Sequence, residues 1–158
     1  MDLLQYKTLI DAMPVQQQAF SPNEDCWDKL LQKVDIGLSL SSSQCRQGFS
    51  KRALHEMPLS PRKLIAILMW GYPTGGRGKN IENVLKRLDE ICRVISLVEN
   101  TDLSQIELVT LIKRLDQMPN LGMATWSKFL YFSHATFNKK KMVILDNKMA
   151  SILSSQTV

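Results

Sequence analysis

Apolar residues recur at three- and four-residue spacing along most of the chain, the period of helices that bury one face. Leu3, Leu9, Ile10 and Met13 share one side of residues 2–13, and Pro14 ends that run. Ser21-Pro22-Asn23-Glu24 reads as a helix start, with an N-cap, a proline at the first helical position and a capping-box acid. The helix that follows is predicted to bury Trp27, Leu30, Leu31 and Val34 and to stop near Gly37. Residues 38–50, rich in Ser and Gln, read as a loop with at most one helical turn.

Ser60-Pro61 repeats the start signal, and Leu64, Ile65, Leu68 and Met69 form the next apolar face. That helix runs into Gly71-Tyr72-Pro73-Thr74-Gly75-Gly76-Arg77-Gly78, which cannot stay helical. Asn80 is predicted to cap one long helix whose inner stripe is Ile81, Val84, Leu85, Leu88, Ile91, Cys92 and Ile95. Ser104 and Glu107 are spaced as a capping box for a helix through Leu115. A tight turn at Pro119-Asn120-Leu121-Gly122 leads into a helix from about Ala124 to Phe132. Residues 142–145 read as the only candidate strand or as simply extended chain, and a last helix is predicted from Asn147 to Leu153. The expected fold is all-α: a single-domain helical bundle over residues 1–158.

A length of 158 residues suits one domain with a hydrophobic core, and 44% hydrophobic with 22% charged residues is globular composition. The longest apolar run, residues 64–70, is far too short to span a bilayer, so no membrane association is expected. The first seven residues lack a basic region followed by an apolar core, so no signal peptide is expected and a cytoplasmic location is. Cys26, Cys45 and Cys92, with His55 and His134, form no disulfide framework and no metal-ligand spacing, so neither a metal nor another cofactor is expected.

The formal charge of +5 decides little alone, but its distribution is uneven. Arg46, Lys51, Arg52, Arg62 and Lys63 stand against Glu56 only, Arg77 and Lys79 sit in the glycine-rich segment, and Lys139-Lys140-Lys141 form a third cluster. Each could be a solvated loop, or together they could face a polyanion. Gly75-Gly76-Arg77-Gly78-Lys79 lacks the Gly-Lys-Ser/Thr ending of a nucleotide P-loop.

Residues 103–153 carry the chemistry. A hairpin turn between two helices points the orphan N–H groups of the second helix outward, where they suit one phosphate of any sequence. Such turns are also ordinary connections in helical bundles. Three ordered segments distinguish this one. Pro119-Asn120-Leu121-Gly122 with Ser127-Lys128-Phe129-Leu130-Tyr131-Phe132, then Val143-Ile144-Leu145-Asp146, and upstream Leu68-Met69-Trp70-Gly71-Tyr72-Pro73 with Gly76-Arg77-Gly78, resemble the helix-hairpin-helix DNA glycosylases. More narrowly, they resemble the bacterial 8-oxoguanine-glycosylase-like branch. The resemblance runs over residues 60–153, with the hairpin at 118–124, and residues 1–50 carry none of it.

The resemblance implies a DNA glycosylase acting on double-stranded DNA, with excision of an oxidised purine such as 8-oxoguanine from a flipped nucleotide. Asp146 takes the place of the carboxylate that stabilises charge on the sugar, and it is equally suited to cap the last helix. For the lysine of the bifunctional, AP-lyase members two alignments stay open. Ungapped from Gly122, its place falls on Ala124, giving a monofunctional enzyme. With a longer turn it falls on Lys128, which lies 18 residues before Asp146, close to the family's separation. Asn120, Leu121 and Gly122 are candidate DNA contacts, as are Arg77 and Lys79; Trp70 and Tyr72 border the glycine-rich segment and could equally stack on an exposed base or pack against the hairpin. Trp126, Phe129, Tyr131 and Phe132 could line a base pocket or pack in the core. Only twelve residues follow Asp146, whereas such glycosylases continue with helices that pack on the first subdomain, so either residues 1–40 supply that packing or this is a shortened copy. The alternative is a non-catalytic helix-hairpin-helix DNA-binding protein.

Overall fold

The computed structural model describes residues 12, 17–37, 49–76 and 78–146. The expected helices at 2–13 and 147–153, with Cys45, Arg46 and Arg77, lie outside this set, Ala12 excepted. Among the described residues the chain is mostly helical. The helices are α1 Glu24–Lys33, α2 Lys51–Glu56, α3 Pro61–Gly71, α4 Asn80–Leu85, α5 Leu88–Ser96, α6 Gln105–Asp116 and α7 Met123–Phe132.

The all-α expectation needs correction, because two small sheets accompany the helices. Ala19–Phe20 (β1) pairs antiparallel with Phe49–Ser50 (β2). Asp102–Leu103 (β3), Thr136–Phe137 (β4) and Lys140–Lys141 (β5) form a mixed sheet in that order. Strands of two residues have no readable period, so the sequence pattern does not announce them. Residues 142–145, the one candidate strand, form none, in keeping with the extended-chain reading. The Ser127 hydroxyl takes up both backbone groups of Leu145, bonds that a neighbouring strand would otherwise supply.

α3 is the axis of the fold. Its residues 63–70 are all buried, so it is apolar on every side rather than amphipathic. Ser60 caps it through the Lys63 N–H at 3.2 Å, with Pro61 at its first turn, as predicted. It packs against α5 and α7. The long helix expected from Asn80 is two helices, with Arg87 at φ −118° between them and Lys79, not Asn80, in the cap position. The break re-aims the apolar stripe, so that α4 packs on α1 and α5 on α3. One straight rod could not reach both. In α1 the cap is Asn23, whose side chain accepts from the Cys26 N–H at 2.9 Å, two residues later than the Ser-Pro signal implied. The Ser104–Glu107 capping box of α6 forms as expected.

Candidate active site between the hairpin and the glycine-rich segment

α6 and α7 are joined by a tight turn, and side chains hold it closed. Trp126 is buried and donates its indole N–H to the Asp116 carboxylate at 2.9 Å, tying the start of α7 to the end of α6. Met118 and Leu121 are buried beneath the turn. Asn120 carries the left-handed residue, at φ 66°, a conformation asparagine tolerates better than most. Gly122 caps α7 with ordinary dihedrals and no side-chain bond to the helix start.

The glycine-rich segment lies opposite. Gly75 and Gly76 take φ of 82° and 76°, which keeps the chain close to α1 and α4: a methyl there would meet Cys26 and Ile81. Residues 72–74 are pinned by α1. The Trp27 indole donates to the Tyr72 carbonyl at 3.1 Å, the Asn23 N–H to Pro73 at 2.8 Å, and the Cys26 thiol to Thr74 at 3.2 Å. Together the two segments enclose a cleft of about 570 Å³, lined by residues 71–74 on one side of the sequence and 122–125 on the other, with Asn120 and Asn80.

Lys128 sits beside this cleft. It is half-buried on α7, and its amine donates to the Ala124 carbonyl one turn back and lies 4.8 Å from the centre of the Tyr72 ring. Tyr72 and Ala124 both line the cleft, whereas neither Lys128 nor Asp146 is among the described lining residues. The Tyr72 hydroxyl is 2.8 Å from the Thr125 hydroxyl. Asp146 is exposed and follows Leu145, whose N–H donates to the Ser127 hydroxyl at 3.0 Å while its carbonyl accepts from it at 3.2 Å. The residues preceding the candidate lysine and the candidate aspartate are therefore bonded to each other.

The other expected residues divide. Asn120, Gly122 and Tyr72 meet at the cleft. Leu121 is 3% exposed and anchors the turn from below. Lys79 is exposed at the head of α4. Trp70 lies in the core, edge-on to Phe20 and Phe132, and its indole N–H has no partner among the described residues. Phe129 and Phe132 are core residues as well.

Two basic clusters converge elsewhere, around His55. Its ring lies 4.8–5.0 Å from those of Tyr131, Phe132 and His134. Burial, with the positive fields of His134, Lys63, Lys141 and Lys51, holds His55 at about 4, well below the ordinary imidazole value. The Lys51 amine lies 5.5 Å from the Trp70 ring and 5.7 Å from that of Tyr131, and burial pushes it below the usual lysine range. Spacing in the sequence gave no hint of this cluster, because its members come from four separate segments.

A family model described as "Putative 8-oxoguanine DNA glycosylase OGG-like protein" matches residues 13–158. The chain belongs to this OGG-like family. The match takes in residues 13–59, where the motif resemblance was silent, as well as the glycine-rich segment, the hairpin and Asp146. No curated protein and no solved structure matches the OGG-like chain significantly. Among its described residues, no helix is long and apolar enough to cross a membrane.

Proposed function

We propose that the protein is a DNA glycosylase that excises an oxidised purine such as 8-oxoguanine from double-stranded DNA, with AP-lyase activity through the Lys128 amine. Family membership supports the glycosylase class. The docking of Leu145 on Ser127 carries the choice of residues, because it draws the Asp146 segment against α7 one position from Lys128. Ala124, the other alignment, has no nucleophile, and its carbonyl holds the lysine amine.

The Lys128 nitrogen lone pair attacks C1′ of a flipped nucleotide while the C1′–N9 bond breaks, and its electrons leave with the base, which takes up a proton. The Asp146 carboxylate stabilises the positive charge that builds on the sugar. Loss of a proton from the nitrogen, with protonation of O4′ and opening of the C1′–O4′ bond, gives the Schiff base. The α6–turn–α7 unit serves as the helix-hairpin-helix element. Asn120 and Gly122 approach one phosphate at the positive end of α7, and Arg77 and Lys79 approach flanking ones.

The test is borohydride trapping on a duplex bearing one 8-oxoguanine. The full chain should form a covalent adduct with DNA, and Lys128→Ala should form none. Excision without any adduct would assign the monofunctional mechanism instead. Salt-sensitive duplex binding with no product on a panel of lesions would leave only a DNA-binding protein.

A further inference from the structure

Lys128 emerges from α7 into a space that two neighbouring residues define. The first is Gly71, the last residue of α3. A Cβ built on Gly71 would lie 2.7 Å from Lys128 Cε and 2.8 Å from Cδ, so the lysine stem runs over a bare backbone where any other residue would put a methyl group. Gly71 is helical, and its dihedrals do not call for glycine. What calls for glycine is the lysine.

The second is Tyr72. Its N–H donates to Leu68 at 2.8 Å, its carbonyl accepts from Trp27 and its hydroxyl meets Thr125, so both its backbone and its ring tip are fixed. Thr125 and Lys128 are three residues apart on α7 and share one face, which lets a single tyrosine bridge them. Its hydroxyl touches one and its ring face covers the other's amine, at 4.8 Å. An electron-rich ring face attracts a cation, and here it does so beside the cleft that Tyr72 itself lines.

We propose that Gly71 and Tyr72 are positioning residues that seat the Lys128 amine at the edge of the cleft, Gly71 by leaving room for the stem and Tyr72 by holding the amine over its ring. The proposal rests on the assignment of Lys128 as the nucleophile. A free lysine samples many rotamers, and an amine misplaced by about 1 Å can lose on the order of 100-fold in rate. Gly71 also gives a clean handle. The atoms that an added methyl would meet are the far end of a flexible side chain, so Gly71→Ala moves the lysine and spares the backbone. Alanine is moreover a better helix former than glycine.

The experiment uses the full chain after reductive ¹³C-methylation, with the Lys128 signal assigned by its absence in Lys128→Arg. In the wild type that signal should be shifted upfield by the Tyr72 ring current. In Gly71→Ala it should move to the position of exposed lysines, with no loss in melting temperature. On unmethylated protein, borohydride trapping on an abasic-site duplex, which needs no base excision, should slow about 100-fold in Gly71→Ala and in Tyr72→Leu. Duplex affinity of Gly71→Ala should stay within about twofold of wild type, and Tyr72→Phe, which keeps the ring, should recover most of the rate. An unshifted wild-type signal would overturn the seat. So would Gly71→Ala trapping at the wild-type rate, or a rate that falls only in step with duplex affinity. A shifted signal with trapping that survives Lys128→Ala would instead keep the seat and remove the nucleophile assignment beneath it.

Discussion

The two ends of α3 each adjoin a lysine. At the N-terminal end Lys63 is 1% exposed, donates to the Met57 carbonyl at 2.8 Å, and is held by burial below the ordinary lysine range. At the C-terminal end Lys128 is half-buried, runs over Gly71 and faces Tyr72 beside a cleft. Both amines donate to a backbone carbonyl, and burial favours the neutral amine at Lys63, but Lys63 is closed off from solvent whereas Lys128 stands beside the cleft. Depth makes an amine unusual. Access makes it useful.

The sharpest way to break that comparison is to remove each lysine in turn. Lys128→Ala should abolish the borohydride adduct and leave the melting temperature nearly unchanged. Lys63→Ala should do the reverse. It empties a buried site at a cost of about 2–4 kcal/mol, read as a lower denaturation midpoint, with undiminished trapping per folded molecule. If Lys63→Ala abolishes trapping in folded protein, the roles of the two ends are exchanged.

Acid should act on the scaffold in two separate windows. His55, at about 4 in the folded chain against an ordinary 6.5, binds its proton more readily once unfolded. Its contribution is therefore complete above about pH 6.5 and is lost as pH falls toward 4. Glu82, 6% exposed and paired with Lys33 at 2.6 Å and Lys86 at 2.8 Å, is lowered from 4.5 to about 2 by those two bonds. Its contribution is present above about pH 4.5 and fades toward pH 2. Denaturation midpoints followed against pH should show His55→Phe flattening the upper window and Glu82→Gln the lower. Equal slopes in both variants and the wild type would contradict the assignment.

The smallest expected effect separates the hairpin from the lysine seat. A Cβ on Gly122 meets nothing within 4 Å, in contrast to Gly71. Serine is the better N-cap, so Gly122→Ser should hold or raise stability by a few tenths of a kcal/mol. If a phosphate approaches that bare backbone, duplex affinity at low salt should still fall several-fold. Unchanged affinity would count against the hairpin as a phosphate site.

Much of this fold is legible in the sequence, and the limits have physical causes. Ser60-Pro61 and Ser104 with Glu107 mark helix starts because capping is local, and both form where they were expected. The break at Lys86 and Arg87 is not local. It answers to the separate surfaces of α1 and α3, and the apolar stripe runs through it without a signal. At the site, the motif pattern points to Lys128, Asp146 and the hairpin, but Gly71 reads only as a helix terminator and Tyr72 as a DNA contact. Their relation to Lys128 is a contact across 56 or more positions, which periodicity cannot express. Trp70, an aromatic beside a loop, invites a role at the surface, yet the edges of Phe20 and Phe132 enclose it.

The proposed chemistry turns on which nitrogen bonds to the sugar. Peptide mapping by mass spectrometry of the borohydride-trapped complex with an 8-oxoguanine duplex reads this directly. A single modified peptide containing residues 127–132 is expected, with the deoxyribose remnant on Lys128. A remnant on Lys51, Lys63 or any other amine would contradict it.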